Sequence, residues 1–273
     1  MSVWNHNNQM HERALRPDRM RVARDRTRCG LWCPALFNVR ARQLRSSGFS
    51  LIEMAVALFV IVLLLGSLLV PLSTQVEKRR YAETGKQIEQ IHEALIGFAL
   101  ANRHFPCPAI SPSNGSEDRT GFDCNKRDGF IPWVTLGVIP YDAWDNLIRY
   151  SVDPGFAKSD PDLFFNLSST GDIHIHTRDE AGAELDLTNV EIPAVIISHG
   201  KNGFGATSSS GIVRTIPGGW AGDEQQNAST ALTFYFRNHS EVTTAPGGQF
   251  DDVIDWVSLN QLFARMVSAG RLP

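Results

Sequence analysis

The stretch "GFSLIEMAVALFVIVLLLGSLLVPLSTQ", residues 48–75, contains a single charged residue, Glu53, at the start of a long apolar run. From Met54 to Leu72, 19 consecutive residues carry no charge. At about 1.5 Å of helical rise per residue, this run matches the roughly 30 Å hydrocarbon core of a bilayer. The sequence therefore predicts a transmembrane helix over residues 49–72. It also poses a question, because a carboxylate inside a membrane costs roughly 2–3 kcal/mol unless it is paired.

Charge is distributed unevenly on the two sides of this segment. Residues 1–48 contain ten arginines and three acidic residues, a net charge of +7, whereas the rest of the chain contains 16 basic and 26 acidic residues, a net charge of −10. A basic flank predicts a cytoplasmic N-terminus and an exported C-terminal part. The apolar run is longer than a signal-peptide core and no small-residue cleavage site follows it, so we expect the span to be retained. The acidic exported part argues against nucleic-acid binding.

Helical periodicity continues beyond the predicted span. Apolar residues recur at intervals of three and four at Ile88, Ile91, Leu95 and Phe98. This spacing predicts an amphipathic extension of the same helix over residues 73–102. Its apolar stripe requires a globular body to cover it.

Residues 103–273 carry the mixed signals of an α+β domain. Residues 103–140, rich in Pro, Gly, Ser and Asn, are interpreted as a loop. Four β-prone segments predict strands at 147–152, 172–177, 193–200 and 231–238. An apolar stripe from Leu259 to Val267 predicts a short C-terminal helix that begins after Ser258 and ends before Gly270. We therefore predict a long N-terminal helix packed on a small antiparallel sheet, with a short C-terminal helix.

Two cysteines of the exported part, Cys107 and Cys124, lie 17 positions apart. Thiols in exported domains are usually oxidised. The pair therefore predicts a disulfide that closes the intervening loop.

The segment "GFSLIEMAVAL", residues 48–58, resembles the processing site of type IV pilins and of type II secretion pseudopilins. The resemblance implies a pilin-like fold and a prepilin peptidase that cuts between Gly48 and Phe49 and then methylates the Phe49 amine. Glu53 becomes the fifth residue of the processed chain, where it pairs with the Phe49 amine of a neighbouring subunit. The implied partners are this peptidase, other pilin or pseudopilin subunits and an inner-membrane assembly platform. The exported part would then be a periplasmic domain, residues 103–273.

The leader departs from this family in its length. Family leaders are usually short, whereas residues 1–48 form a long one. Translation from Val39 or from Met20 would shorten it. We assign no function to the residues before Val39.

A second resemblance lies downstream. "DAWDNLIRY", residues 142–150, is similar to the Asp-Pro-Trp-Gly-Asn-Pro-Tyr-x-Tyr signature of the major pseudopilin. Four positions match and three differ: Asp142, Trp144, Asn146 and Tyr150 match, and Ala143, Asp145 and Leu147 differ. Because Asp tolerates the left-handed conformation that Gly would adopt, we expect Asp145 to preserve a turn that leads into the first strand.

The major pseudopilins also carry a calcium site in a C-terminal loop. The comparable acidic segments here are 222–227 and 250–256, both interpreted as loops, and they would supply Asp223, Asn227, Asp251 and Asp252 as oxygen ligands. The ligand spacing of the family is not reproduced. Solvated loop carboxylates are the alternative interpretation.

Other pairs of polar residues do not form a catalytic pattern. His174 and His176 share one face of a predicted strand and have no third metal ligand nearby in the sequence. Ser198 and His199 are adjacent on a strand and should point in opposite directions. We therefore expect a structural subunit without enzymatic activity. The alternative is a membrane-anchored binding or enzymatic domain whose span is a simple tether. Between the two machines, the Asp-Ala-Trp turn leans toward a secretion pseudopilus, whereas the long loops and the disulfide would also suit a minor pilin of a pilus.

Overall fold

The computed structural model describes residues 48–188, 190–217, 222–230 and 232–272, and for residues 67–72 it describes the backbone alone. The predicted leader therefore lies outside the described residues except for Gly48. The chain divides into two compact units, residues 1–54 and residues 55–273. The described residues of the first unit, 48–54, are all exposed.

Helices and strands follow one another along the chain in a mixed order. They are α1 (Leu51–Asn102), β1 (Ala109–Ser111), β2 (Asn114–Glu117), β3 (Arg119–Thr120), β4 (Asp123–Cys124), β5 (Asp128–Phe130), α2 (Trp133–Leu136), β6 (Arg149–Val152), α3 (Pro154–Ala157), β7 (His174–Arg178), β8 (Glu184–Asp186), β9 (Ala194–Ser198), α4 (Asp223–Ala228), β10 (Thr233–Tyr235), β11 (Val253–Val257) and α5 (Leu259–Ser268).

Helix α1 changes character along its length. Every residue from Leu51 to Gly66 is exposed, whereas the later part of the helix buries an apolar stripe that includes Ile88, Ile91 and Leu95. Among the helices that the structure describes, none combines the length and the apolar composition that a bilayer crossing requires. Part of the predicted span, residues 49–72, was therefore not assessed, because the side chains of residues 67–72 lie outside the part of the chain that the structure describes.

The main sheet has the strand order β11-β9-β6-β5, and all its neighbouring strands are antiparallel. The central strand β9 is buried on both faces, because successive side chains of a strand point to opposite sides. Ala194 and Ile196 belong to a core shared with α1 and α5, whereas Val195 and Ile197 belong to a second core. The predicted α+β class, with a helix packed on an antiparallel sheet, is confirmed.

The second core lies between the main sheet and a three-stranded sheet of order β10-β7-β8. Strands β7 and β8 are antiparallel, but β10 pairs with β7 in parallel. The sequence predicted a single sheet. The second sheet forms because the inward-facing residues Ile173, Ile175 and Phe234 bury an apolar face of their own against β9 and β11.

Three segments differ from their prediction as loops. Residues 103–140 contain the hairpins β1-β2 and β3-β4, the edge strand β5 and the short helix α2. Residues 222–227 are mostly helical in α4, and residues 253–256 belong to β11. For β11 the conformation comes from tertiary pairing, because this strand is paired along β9 from Val253 to Val257.

Candidate functional site

The processing motif lies at the start of α1. Gly48 and Phe49 precede the helix, and Phe49 is 76% exposed. Glu53 lies in the first helical turn and is also exposed. A Cβ atom placed on Gly48 would meet nothing within 4 Å. Among the described residues, the C-terminal side of the predicted cleavage site is therefore exposed, and the space beside Gly48 would admit a methyl group.

The turn at Asp142–Asn146 is organised by one carboxylate. Asp142 Oδ1 accepts hydrogen bonds from the backbone N–H groups of Trp144 and Asn146, both at 2.9 Å. Asp145 has φ +67°, the left-handed conformation predicted for it. The turn leads into β6, as expected, and is tied to β9 because Ser198 Oγ donates a 2.7 Å hydrogen bond to Asp142 Oδ2.

The same turn fixes the outer half of α1 on the body. The Ala143 N–H donates to Thr84 Oγ1 at 3.1 Å, and the Trp144 ring meets the Tyr81 ring edge to face with centroids 4.7 Å apart. Tyr81 Oη lies 3.0 Å from Nδ1 of His239 in the loop after β10. The Asp142–Asn146 turn is therefore one of the contacts that hold α1 on the body.

Next to this turn lies a buried group of three carboxyl side chains, Glu224, Asp251 and Asp252, which we call the acidic cluster. One carboxylate oxygen from each lies within 4.8 Å of the others. Asn202 bridges two of them: its side chain donates to Glu224 Oε2 and its backbone N–H to Asp251 Oδ2, both at 2.8 Å. Asp251 Oδ1 has no hydrogen-bond partner among the residues that the structure describes.

Burial changes the proton affinity of the acidic cluster. It raises the pKa of Glu224 to about 8, with a further contribution from the charge of Asp252. It also raises the pKa of Asp251 to about 7, again with Asp252 contributing. Hydrogen bonds donated by Asn202 oppose both shifts. Near neutral pH the cluster therefore retains protons unless a cation compensates its charge.

The four residues predicted to bind calcium do not all meet in this cluster. Asp251 and Asp252 belong to it, whereas Asp223 faces two guanidinium groups, with Arg178 Nη2 at 2.7 Å and Arg237 Nε at 2.8 Å. Asn227 lies beside the cluster, and its Nδ2 donates to Asp252 Oδ2 at 2.8 Å. The Asn227 amide also pairs with the backbone of Tyr235 in β10.

Glu224 is the member of the cluster that the sequence did not predict. Helix α4 turns Glu224 and Asn227 to the same buried side, because residues three apart share a helix face. If residues 222–228 had been interpreted as a helix, their spacing would have placed Glu224 on the same face as Asn227. The resulting set of three carboxylates, one with an unpartnered oxygen, fits the oxygen ligands that a hard cation such as Ca²⁺ prefers. Calcium binding itself stays a prediction.

The remaining polar pairs have separate partners. Ser198 Oγ bonds Asp142, whereas His199 Nδ1 lies 3.4 Å from Asp252 Oδ1, so the two side chains point apart as predicted. The rings of His174 and His176 lie 6.4 Å apart on β7. Across the described ranges, the acidic cluster is the single group of three or more His, Cys, Asp or Glu side chains with the proximity of metal ligands.

The predicted disulfide is present between Cys107 and Cys124. It joins the segment that leaves α1 to strand β4, and Cys107 is fully buried. It therefore braces the hairpins of 109–124 against the end of α1.

Comparisons of this chain with models of protein families, with curated proteins and with solved structures found no significant match. The resemblance to pilins and pseudopilins accordingly rests on the residues of the chain itself.

Proposed function

We propose that this chain is a pilin-like structural subunit. A prepilin peptidase cuts it between Gly48 and Phe49 and methylates the new amine, and α1 then assembles it into a type II secretion pseudopilus or a type IV pilus-like filament. Before assembly the subunit is held in the inner membrane by residues 49–72, with its C-terminal domain in the periplasm.

The observation that carries this proposal is the placement of Phe49 and Glu53. Phe49 lies two positions before α1 and Glu53 lies in its first turn, so the carboxylate is only four residues along the chain from the amine that cleavage would create. A charge-assisted pair between an ammonium and a carboxylate offsets much of the cost of removing both from water. If the amine belongs to a neighbouring subunit, Glu53 is unpaired in the free subunit and paired in the filament, which favours assembly.

The two parts of α1 support a role in assembly. Residues 51–66 expose an apolar surface on all sides, and the body leaves this surface uncovered. The later part of α1 is fixed to the body by its buried stripe and by Thr84. A simple tether requires neither Glu53 nor an attachment of this kind for the later part of α1.

The Asp142–Asn146 turn bears on whether the filament is a secretion pseudopilus or a pilus. Asp145 stands where the pseudopilin signature has Gly, and it adopts the left-handed conformation that this Gly would adopt, in a turn that Asp142 holds by hydrogen bonds. This favours the secretion pseudopilus over a pilus.

The test is the mass of the N-terminal peptide after the full chain is co-expressed with a prepilin peptidase. We expect a peptide that begins at N-methyl-Phe49. Gly48→Ala is the matched control, because a methyl group fits at Gly48 without contact and so only processing should be lost. An intact leader, or cleavage after residue 72, would contradict the proposal and favour the tethered domain.

A further inference from the structure

Three consecutive cations follow the apolar segment of α1. Lys78, Arg79 and Arg80, which we call the basic triplet, are all exposed. None of them forms an ion pair or a side-chain hydrogen bond with any residue that the structure describes. By contrast, most lysines and arginines of the described residues of 103–273 pair with a carboxylate. The triplet is therefore a concentration of unpaired positive charge.

The acidic residues of α1 on either side of the basic triplet do not pair with it. Glu77 lies 3.9 Å from Lys201 Nζ. Glu83 is exposed, and within the described chain it forms no ion pair with the triplet. At about 100° and 1.5 Å per residue, the triplet covers roughly 200° of the helix circumference within about 3 Å of its length. This arrangement suits a charged layer that surrounds the helix better than a partner that contacts one face.

The position of the basic triplet along α1 corresponds to the level of lipid headgroups. Lys78 lies about 9 Å further along the helix than residue 72, where the predicted span ends. The headgroup layer extends about 5–7 Å beyond the hydrocarbon core on each side of a bilayer. Because the side chains of a helix lean toward its N-terminus, the long stems of Lys and Arg carry their charges back toward the span. The charges of the triplet can therefore reach the phosphate groups.

The basic triplet also opposes the charge distribution that orients a span. Cations close to a span favour the cytoplasmic side, whereas the triplet lies on the side that we predict to be exported. The ten arginines of residues 1–48 outweigh it. A contact on the exported side gives these cations a role that compensates for this disadvantage.

We propose that the basic triplet binds the phosphate groups of anionic phospholipids, in the leaflet through which α1 leaves the membrane. Ammonium and guanidinium groups form charge-assisted hydrogen bonds with phosphate, and the attraction to an anionic surface grows with each Lys or Arg near it. The contact fixes the depth of α1 in the bilayer. The inference rests on the proposed function, because it requires residues 49–72 to lie in the membrane, and it adds the class of lipid that surrounds the subunit.

The test uses the full chain in phosphatidylcholine bilayers with a trace of spin-labelled phosphatidylglycerol or spin-labelled phosphatidylcholine. Electron paramagnetic resonance gives the fraction of each labelled lipid that is held at the protein surface, and hence the relative affinity for the anionic lipid. We expect the variant Lys78→Gln, Arg79→Gln, Arg80→Gln to lower this relative affinity about fivefold. Added salt should lower it for the wild-type chain. Every sample keeps residues 1–48, so the attraction of the basic leader for anionic lipid is common to all of them.

The matched control removes three cations that lie further along the chain from the predicted span. Lys86, Arg103 and Arg271 form no ion pair in the part of the chain that the structure describes. Lys86 lies about 20 Å beyond residue 72 along α1, Arg103 follows the last residue of that helix, and Arg271 follows α5. Their replacement by Gln changes the net charge equally but leaves the basic triplet intact, so we expect the relative affinity to stay unchanged.

Several results would overturn the lipid contact. Equal losses from the triplet variant and the control would show that net charge alone produces the preference. An unchanged affinity in the triplet variant, or a wild-type preference that salt does not reduce, would also overturn it. Sodium phosphate and sodium chloride at equal ionic strength distinguish lipid from free phosphate. A stronger loss in sodium phosphate would show that the triplet binds the free anion instead.

Flotation of the same chains with vesicles separates this inference from the proposed function. A wild-type chain that floats with neither phosphatidylcholine nor phosphatidylglycerol vesicles is not anchored in a membrane, which refutes the proposed subunit together with the lipid contact. A chain that floats with both, but shows no preference for spin-labelled phosphatidylglycerol, refutes the contact alone.

Discussion

His92 Nδ1 lies 2.7 Å from Asp255 Oδ2, and this pair connects the middle of α1 to the edge strand β11. The hydrogen bond to Asp255 raises the pKa of His92 above its ordinary value, although burial of the ring opposes the shift. The other carboxylate oxygen of Asp255 accepts a hydrogen bond from the backbone N–H of Trp256. The same side chain therefore contacts both α1 and the backbone of β11.

The His92–Asp255 pair makes the attachment of α1 pH-dependent. A histidine with a raised pKa stabilises the folded state fully below its unfolded pKa of about 6.5, and the effect disappears as pH rises through the folded pKa. We expect Asp255→Asn to lower the unfolding free energy by about 1 kcal/mol at pH 6 and by less at pH 8.5. Thermal unfolding at both pH values measures this. Glu89→Gln, which removes an exposed charge from α1, is the control, and a pH-independent loss for Asp255→Asn would contradict the assignment.

The left-handed conformation of Asp145 gives a second prediction. A β-branched residue at φ +67° is strained, so Asp145→Val should cost roughly 1–2 kcal/mol of unfolding free energy. Asp145→Gly relieves the backbone but loses the 2.6 Å hydrogen bond that Ser209 Oγ donates to the carboxylate, and we expect a change within about 0.5 kcal/mol. Denaturant titration of the two variants distinguishes them. Equal losses would show that the side chain, and not the backbone, determines the cost.

The sequence predicted those parts of the fold that depend on local periodicity. The buried stripe of α1, the strand at 194–198 and the helix Leu259–Ser268 follow from the spacing of apolar residues alone. The sequence did not predict β11, because "DDVIDW" contains three carboxylates in six residues and resembles a solvated loop. Its strand conformation comes from pairing with β9, which local patterns do not record.

For a similar reason, only some of the residues of the candidate site could be predicted from the sequence. Asp251 and Asp252 were identified by their charge, whereas Glu224 enters the acidic cluster only because α4 forms and turns it inward. Asp223 has the same charge as its neighbour but meets Arg178 and Arg237. Which of two adjacent carboxylates joins a site depends on the helix phase, and this in turn depends on the packing of α4 against β10.

We expect the Cys107–Cys124 disulfide to stabilise the segment that follows α1. Replacement of Cys107 and Cys124 by Ser frees a 17-residue loop in the unfolded chain, and we expect a loss of roughly 3 kcal/mol of unfolding free energy. Denaturant titration of the variant beside the wild-type protein, with and without reductant, measures it. Reductant should destabilise the wild-type protein alone. A variant as stable as the oxidised protein would show that the hairpins of 109–124 hold without the bond.

The acidic cluster predicts an unusual pH dependence. Carboxyl groups whose folded pKa values are raised, to about 7 for Asp251 and about 8 for Glu224, favour the folded state while protonated. Their contribution is complete below their unfolded pKa values of about 4 and is lost as pH rises through the folded values. In a chelator we therefore expect the melting temperature to fall between about pH 5 and pH 8.5. The double variant Glu224→Gln, Asp251→Asn should show a flatter profile.

Calcium should reverse this loss, because a cation replaces the protons and binds only the folded state. At pH 8 we expect Ca²⁺ to raise the melting temperature of the wild-type protein and to leave the double variant unchanged. Mg²⁺ should act more weakly, because it keeps its water ligands and demands a regular octahedron that a buried cluster of three carboxylates does not provide. If Ca²⁺ has no effect while the pH profile is as described, the cluster holds protons alone, and the calcium prediction is wrong for this chain.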